Sequence, residues 1–327
     1  MKKTTMLFFL LLIFSFIACG DSVEKKYIDQ VFAIVEGNSL KRDSLDFIKI
    51  KEEAYLSAES AQSLDDCHAI VKTILLRLND KHSFFWNKQE VKAAFAENIH
   101  IEGEELITFE GALIANDIGL LKIKGFNILD RPLSVEYTDS LQRLIKSIDY
   151  KDLKGWIIDL RENEGGNPFP MLAGIGPLVG NGIFGFMMNN KGYKYSCSYQ
   201  NGIVKVDTFS YRMCAIPYTL INEAAPVALL IGPKTKSAGE MIAIVFIGKS
   251  NSKSFGRSTY GLTTGNEFFM LTDSAGIWLT TMVDVGRDGH VYGGKLNPDV
   301  LVDSCTNIIF LEKDRVKDAA INWIENY

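Results

Sequence analysis

Cysteine and histidine are scarce in this chain of 327 residues: five of one and four of the other, with no C-x-x-C and no His/Cys/Asp cluster. That scatter excludes the familiar zinc modules and leaves no metal site in view. A phosphate-cradling glycine loop is also missing, so no cofactor is expected. The net charge is −5 and no basic block interrupts it, which argues against nucleic acid as a partner. Internal repeats and low-complexity tracts are absent, and 47% hydrophobic with 23% charged residues is the balance of a globular protein, not an extended disordered one. The length suits one large domain or two ordinary ones.

Lys2 and Lys3 precede an apolar run from Met6 to Ile17, too short for a comfortable bilayer span. Residues 1–18 read as a signal peptide. Phe16-Ile-Ala-Cys19 resembles the lipobox of bacterial lipoproteins, although Phe16 stands where leucine is usual. That resemblance implies cleavage before Cys19, lipidation of its thiol, and a short tether over residues 19–26. The mature chain is then exported and lipid-anchored in the bacterial cell envelope; an ordinary cleaved signal is the alternative. Export permits disulfides, and Cys197 with Cys214 is the first pair to consider, against an equal case for buried free thiols.

From Lys25 to about Leu78 apolar residues recur at three- and four-residue spacing without proline, as in Ile70, Ile74, Leu75 and Leu78. We read residues 27–86 as a small N-terminal helical bundle ending in the polar turn Asn79-Asp-Lys-His-Ser83. The rest, residues 87–327, reads as one further domain. It contains a helix over Lys88–Phe95, strands over His100–Phe109 and Ile118–Phe126, and a helix over Tyr137–Ile148. A helix over Pro168–Val179 precedes β-type text through residue 212. A meander follows over Ser254–Val285, and a closing helix over Asp314–Tyr327.

Two stretches stand out. Val227–Ile231 is a continuous apolar run suited to a strand buried on both faces, stopped by Gly232-Pro233. Ser237-Ala-Gly-Glu240 then opens an apolar helix with a capping-box spacing. Ser237 thus sits where a buried strand turns into a helix, beside unpaired N–H groups able to stabilise an oxyanion. An N-cap role alone is the plainer alternative. Trp156–Leu160 is a second buried strand running into Arg161-Glu-Asn-Glu-Gly-Gly166, where adjacent glycines let the backbone approach a neighbour closely or simply close a tight connection.

These patches resemble the C-terminal processing (tail-specific) serine protease family. Gly155–Gly166 is similar to its Asp-Leu-Arg-x-Asn-x-Gly-Gly segment, and Thr235–Glu240 to its nucleophile segment. Thr259–Gly265 through Tyr292–Asp299 resembles the strands and Pro-Asp that close its catalytic domain. The resemblance implies an α+β fold, a ClpP/crotonase-like protease core, here preceded by the helical bundle. It also implies acyl transfer to Ser237, with backbone N–H groups of Ala238 and of Gly165 or Gly166 as the oxyanion hole. Members using a Ser–Lys dyad carry lysine where this chain has Leu262, 25 residues after Ser237. A branch resembling the tricorn core protease takes its base from a histidine, and Asp80-Lys-His82-Ser83 matches that pattern, with His290 in reserve and His68 and His100 set aside. Histidine's near-neutral pKa suits a base that later returns the proton. The acid that this branch places shortly before the Pro-Asp is missing; Asp284, Asp288, Asp80 and Ser83 are the residues left to orient the ring.

About 35 residues separate His82 from Ile118, too few for an inserted PDZ domain. Substrate is instead expected to add as a strand beside a sheet edge. The expected activity is that of a membrane-anchored serine endopeptidase acting on a peptide or unfolded protein, with no cofactor. A non-catalytic peptide-binding lipoprotein on the same fold is the main alternative. An α/β-hydrolase needs Gly-x-Ser-x-Gly, and Thr235 stands at the first glycine's place.

Overall fold

The computed structural model describes residues 22–44, 46–96, 108–114, 117–212, 214, 216–302 and 314–327. Cys19 and its lipobox, Cys305, and all but the last two residues of the predicted strand His100–Phe109 lie outside these.

Helices α1 (Val23–Asn38), α2 (Phe47–Ala58) and α3 (Leu64–Arg77) open the described chain. Each starts on a side chain that accepts a backbone N–H: Ser22 from Lys25, Asp46 from Lys49, Ser63 from Asp66. Their apolar faces meet around Val31, Phe32, Val71 and Ile74, and the same cluster continues into Leu271, Ala275, Ile277 and Leu279. The helices therefore share a core with a sheet. Strand β1 (Phe84–Trp86) and helix α4 (Lys88–Ala94) follow, the latter closed by a reciprocal cap between Asn87 and Glu90.

β2 (Phe109–Ile114) and β3 (Ile118–Ile123) form a hairpin. Helix α5 (Arg131–Ile148) then crosses over to β4 (Gly155–Asp159), which runs parallel to β3. The helix begins six residues before the predicted Tyr137 because Asp130 caps it and Pro132 fits its first turn. The predicted helix Pro168–Val179 is two, α6 (Pro168–Gly174) and α7 (Gly176–Val179), broken at Ile175 where glycines flank the junction and Pro177 enters. Four antiparallel strands come next: β5 (Gly182–Asn189), β6 (Lys194–Gln200), β7 (Ile203–Val206) and β8 (Phe209–Arg212).

β9 (Val227–Ile231), α8 (Ala238–Phe246) and β10 (Ser252–Gly256) make a second crossover unit, with β10 parallel to β9. This corrects the expected meander from Ser254. A helix between two strands returns the second one parallel to the first, so β10 joins the sheet of β9. The hairpin proper is β11 (Thr264–Met270) with β12 (Gly276–Gly286), and β13 (Val300–Leu301) and α9 (Arg315–Glu325) complete the chain.

Two sheets result. One has the order β13-β10-β9-β4-β3-β2; the other runs β1-β12-β5-β6-β7-β8, with β11 on the opposite edge of β12. Every residue of β4 and β9 is buried because helices cover both faces. Trp156, Ile158 and Leu229 pack with Leu141, Met171 and Ile242 of α5, α6 and α8. Ile157, Ala228 and Leu230 point the other way, onto Val316, Ala320 and Ile324 of α9. Cys67, Cys197 and Cys214 are buried and unpaired, which removes the Cys197–Cys214 disulfide.

The tightness of this core is testable at a glycine. A Cβ on Gly119 would lie 2.5 Å from the Trp156 ring and 3.1 Å from Ile148, so Gly119→Ala should cost about 1–3 kcal/mol in urea unfolding. Gly37→Ala, in α1 with nothing within 4 Å of the new Cβ, should instead stabilise by about 0.5–1 kcal/mol.

Candidate active site

Between β9 and α8 the chain makes a pinned turn. Thr235, fully buried, donates from Oγ1 to Leu160 O (2.8 Å) and accepts from Gly232 N–H (3.0 Å). Ser237 follows at φ 50°, ψ −119°, outside the ordinary regions for a residue with a side chain. Such a conformation costs on the order of 1–3 kcal/mol and persists only where the surroundings enforce it.

Glu240 does much of the enforcing. Its carboxylate accepts from Ser237 N–H (3.0 Å), Gly261 N–H (2.9 Å), Leu262 N–H (2.6 Å) and the Thr259 hydroxyl. The side chain is inaccessible to solvent, and burial pushes its pKa up while these donors pull it down. One carboxylate thus ties the serine turn to the Thr259–Leu262 corner. The sequence spacing shows Glu240 as a cap but carries no sign of this second task.

His82 reaches the serine from the other end of the chain. Its Nε2 lies 3.0 Å from Ser237 Oγ, and its Nδ1 lies 2.7 Å from Thr264 Oγ1. Asp80 shapes the loop by accepting from the N–H groups of His82 (3.0 Å) and Ser83 (2.8 Å), and Asn266 donates to His82 O (2.8 Å). Burial lowers the imidazole pKa to about 4, against an opposing pull from Asp80.

The glycine loop passes directly beside the serine. A Cβ on Gly165 would lie 3.0 Å from Ser237 Cβ, and both Gly165 and Gly166 have positive φ, 100° and 114°. Asn163, buried, accepts from Gly165 N–H (3.0 Å) through its side chain and from Lys236 N–H (3.1 Å) through its carbonyl. Gly165 N–H is therefore engaged. The N–H groups of Gly166 and Ala238 have no partner among the described residues, so both are free to donate to a bound oxygen.

None of the residues expected to orient the histidine bonds its ring, and Asp80 bonds His82 only at its backbone. Asp80 and Ser83 bond to each other, and Ser83 also meets Thr280. Asp288 accepts from His290 N–H in an exposed turn, with the His290 ring against Tyr292. Asp284 is buried on β12, with its pKa raised to about 7 by burial and then by Glu240, and it makes no contact to His82. The partner of Nδ1 is Thr264, which nothing in the sequence separates from its neighbour Thr263. Lys236 points away to Glu164 (2.9 Å), and Leu262 contributes only its N–H. His100 lies outside the described residues. His68 pairs with Asp273 (2.7 Å), which also accepts from Tyr27, tying α3 to the β11–β12 hairpin. With Asp65 this pair is the one group among the described residues whose ligand atoms lie close enough to share a cation.

A protein-family comparison matches residues 117–302 to Peptidase family S41. The nisin-resistance protein of Lactococcus lactis subsp. lactis is 24% identical over 308 residues, covering 92% of this chain and 87% of that protein. Among solved structures, a lipoprotein from Streptococcus agalactiae superposes with a TM-score of 0.75 at 24% identity, over 98% of this chain and 99% of the other. The photosystem II D1 C-terminal processing protease does so with a TM-score of 0.60 at 14% identity, over 86% and 94%. The architecture is that of the C-terminal processing proteases, and the match spans both the glycine loop and the serine turn. This chain belongs to peptidase family S41.

Proposed function

We propose that this protein is a lipid-anchored serine peptidase of the bacterial cell envelope, with Ser237 as nucleophile and His82 as general base. The observation that carries the proposal is the 3.0 Å approach of His82 Nε2 to Ser237 Oγ across 155 residues of sequence. In the Nδ1–H tautomer the ring donates to Thr264 Oγ1, leaving Nε2 free to accept the serine proton. Oγ then bonds to the substrate carbonyl carbon, and the oxyanion meets the N–H groups of Ala238 and Gly166. His82 passes its proton to the leaving amine, and water hydrolyses the acyl-enzyme by the reverse path. The anchor is the lipid on Cys19. No helix among the described residues is long and apolar enough to cross a membrane.

The competing proposal, a peptide-binding lipoprotein without turnover, draws on one feature: a threonine hydroxyl stands where triads place a carboxylate. A hydroxyl orients the ring but adds no negative charge to stabilise the imidazolium.

Labelling with a fluorophosphonate probe separates the two. Wild type should label and the Ser237→Ala and His82→Ala variants should not, with unfolding midpoints near wild type; a well-folded wild type that does not label would defeat the catalytic assignment. Nisin, from the name of the Lactococcus lactis relative, is the first peptide to assay.

The pH profile follows from the buried base. Only neutral His82 accepts a proton, so kcat/KM should hold its plateau well below the ordinary histidine pKa of 6.5 and fall as pH passes about 4. Between those values the unfolded chain binds the extra proton, so His82 also withdraws stability as pH falls through the same window. A limb near pH 6.5 would contradict the burial of the ring.

Thr264→Val removes one neutral hydrogen bond worth about 0.5–1.5 kcal/mol, so kcat should drop only about 3- to 10-fold, measured on a peptide substrate. Thr264→Ser should restore most of it.

A further inference from the structure

The strand that carries Thr264, and the one that follows the His82 turn, carry something beyond them. Along β11, Thr264 bonds the His82 ring and Asn266 bonds the His82 carbonyl; two residues on, Phe268 opens an aromatic surface. Its ring lies 5.1 Å from Trp278 of β12 and 6.4 Å from Trp86 of β1, and Trp278 stacks on Phe84 at 6.2 Å. Phe95, just beyond α4, adds a ring 5.0 Å from Phe268. The alternating residues Phe85, Ile277 and Leu279 face the other way, into the helical bundle, so among the described residues this sheet segment has one face sealed and one face open. On the open face Phe84 is 41% exposed, Phe95 47% and Met270 55%. Gly276 makes the arrangement possible, since a Cβ there would lie 2.3 Å from the Phe268 ring. Phe95 and Met270 also border an open cleft of about 630 Å³.

A contiguous aromatic surface of this kind is uncommon on a protein face that needs no partner. Its position selects the partner, because it starts where the residues holding the catalytic histidine end. We propose that Phe84, Trp86, Phe95, Phe268, Met270 and Trp278 form a subsite for bulky apolar side chains of the peptide substrate. The proposal rests on the peptidase assignment above. Thr264 and Phe268 are four residues apart, about 13 Å at strand rise, so an extended substrate meets the platform about four residues from its scissile bond. The rings then supply flat apolar area with little side-chain entropy to lose, a basis for selecting aromatic or large aliphatic residues without a PDZ domain.

The test uses the full-length Ser237→Ala protein, which holds peptide without cutting it, and two fluorescein-labelled dodecapeptides of glycine and serine, one carrying two phenylalanines. Fluorescence anisotropy should show the phenylalanine peptide binding at least about 10-fold tighter. Adding Phe84→Ser and Phe95→Ser, both at exposed positions and checked for an unchanged unfolding midpoint, should erase that preference. Equal affinities for the two peptides, or a preference that survives both substitutions, would overturn the subsite. So would adsorption to phosphatidylglycerol vesicles that the same substitutions abolish while neither peptide is preferred; the surface would then be a membrane contact. Fluorophosphonate labelling of wild type reads the peptidase assignment separately: a preference for phenylalanine in a protein that never labels would keep the subsite and discard the catalysis.

Discussion

One buried carboxylate holds the site in shape. Glu240 sits inside the fold at the first turn of α8, and four donors from two segments converge on it. A charge placed there is unfavourable unless every lone pair is used, and here the donors are fixed backbone N–H groups and one threonine. The helix N-terminus contributes its own positive end. Because the bonds are geometrically demanding, they hold Ser237 in a conformation it would not choose and anchor the corner from which β11 departs. β11 in turn supplies Thr264 to the histidine. Serine, orienting hydroxyl and corner are thus one mechanical unit.

The histidine arrives by a different route. β1 and β5 lie on the same edge of β12, β1 beside its first part and β5 beside its second, so one long strand serves both the N-terminal bundle and the protease core. The shared apolar cluster of α1–α3 with Ile277 and Leu279 makes that junction stiff. His82 therefore approaches Ser237 from a short turn held between packed elements and pinned by Asp80, which favours a preset distance between the two side chains.

What the sequence made legible follows from how each feature is encoded. β4 and β9 are readable because burial on both faces leaves only apolar residues, and their following turns carry glycine and proline. The serine and the glycine pair are readable from the strand–turn–helix grammar and from family resemblance. Pairing across sheets is a different matter. Nothing local in Ser252–Gly256 says that it joins β9 and not β11; only the intervening helix imposes it. Thr264 escaped for a similar reason, since a hydroxyl in a strand has the same local text whether it meets solvent or an imidazole. Asp284 shows the reverse case: an acid near the right motif, buried and close enough to Glu240 to feel its charge, with no bond to the histidine.

The 155 residues between His82 and Ser237, and the further 27 to Thr264, bear on how the chain comes alive. The bundle can nucleate its helices early from local contacts, but the strand that seats it, Gly276–Gly286, lies far downstream of it in the chain. Contacts of such long separation form late, after their loop-closure entropy has been met. Until then Ser237 lacks its contact to the His82 ring, and that ring lacks the Thr264 hydroxyl. A partly made chain therefore lacks the contact between His82 and Ser237, which closes only once the last hairpin has docked.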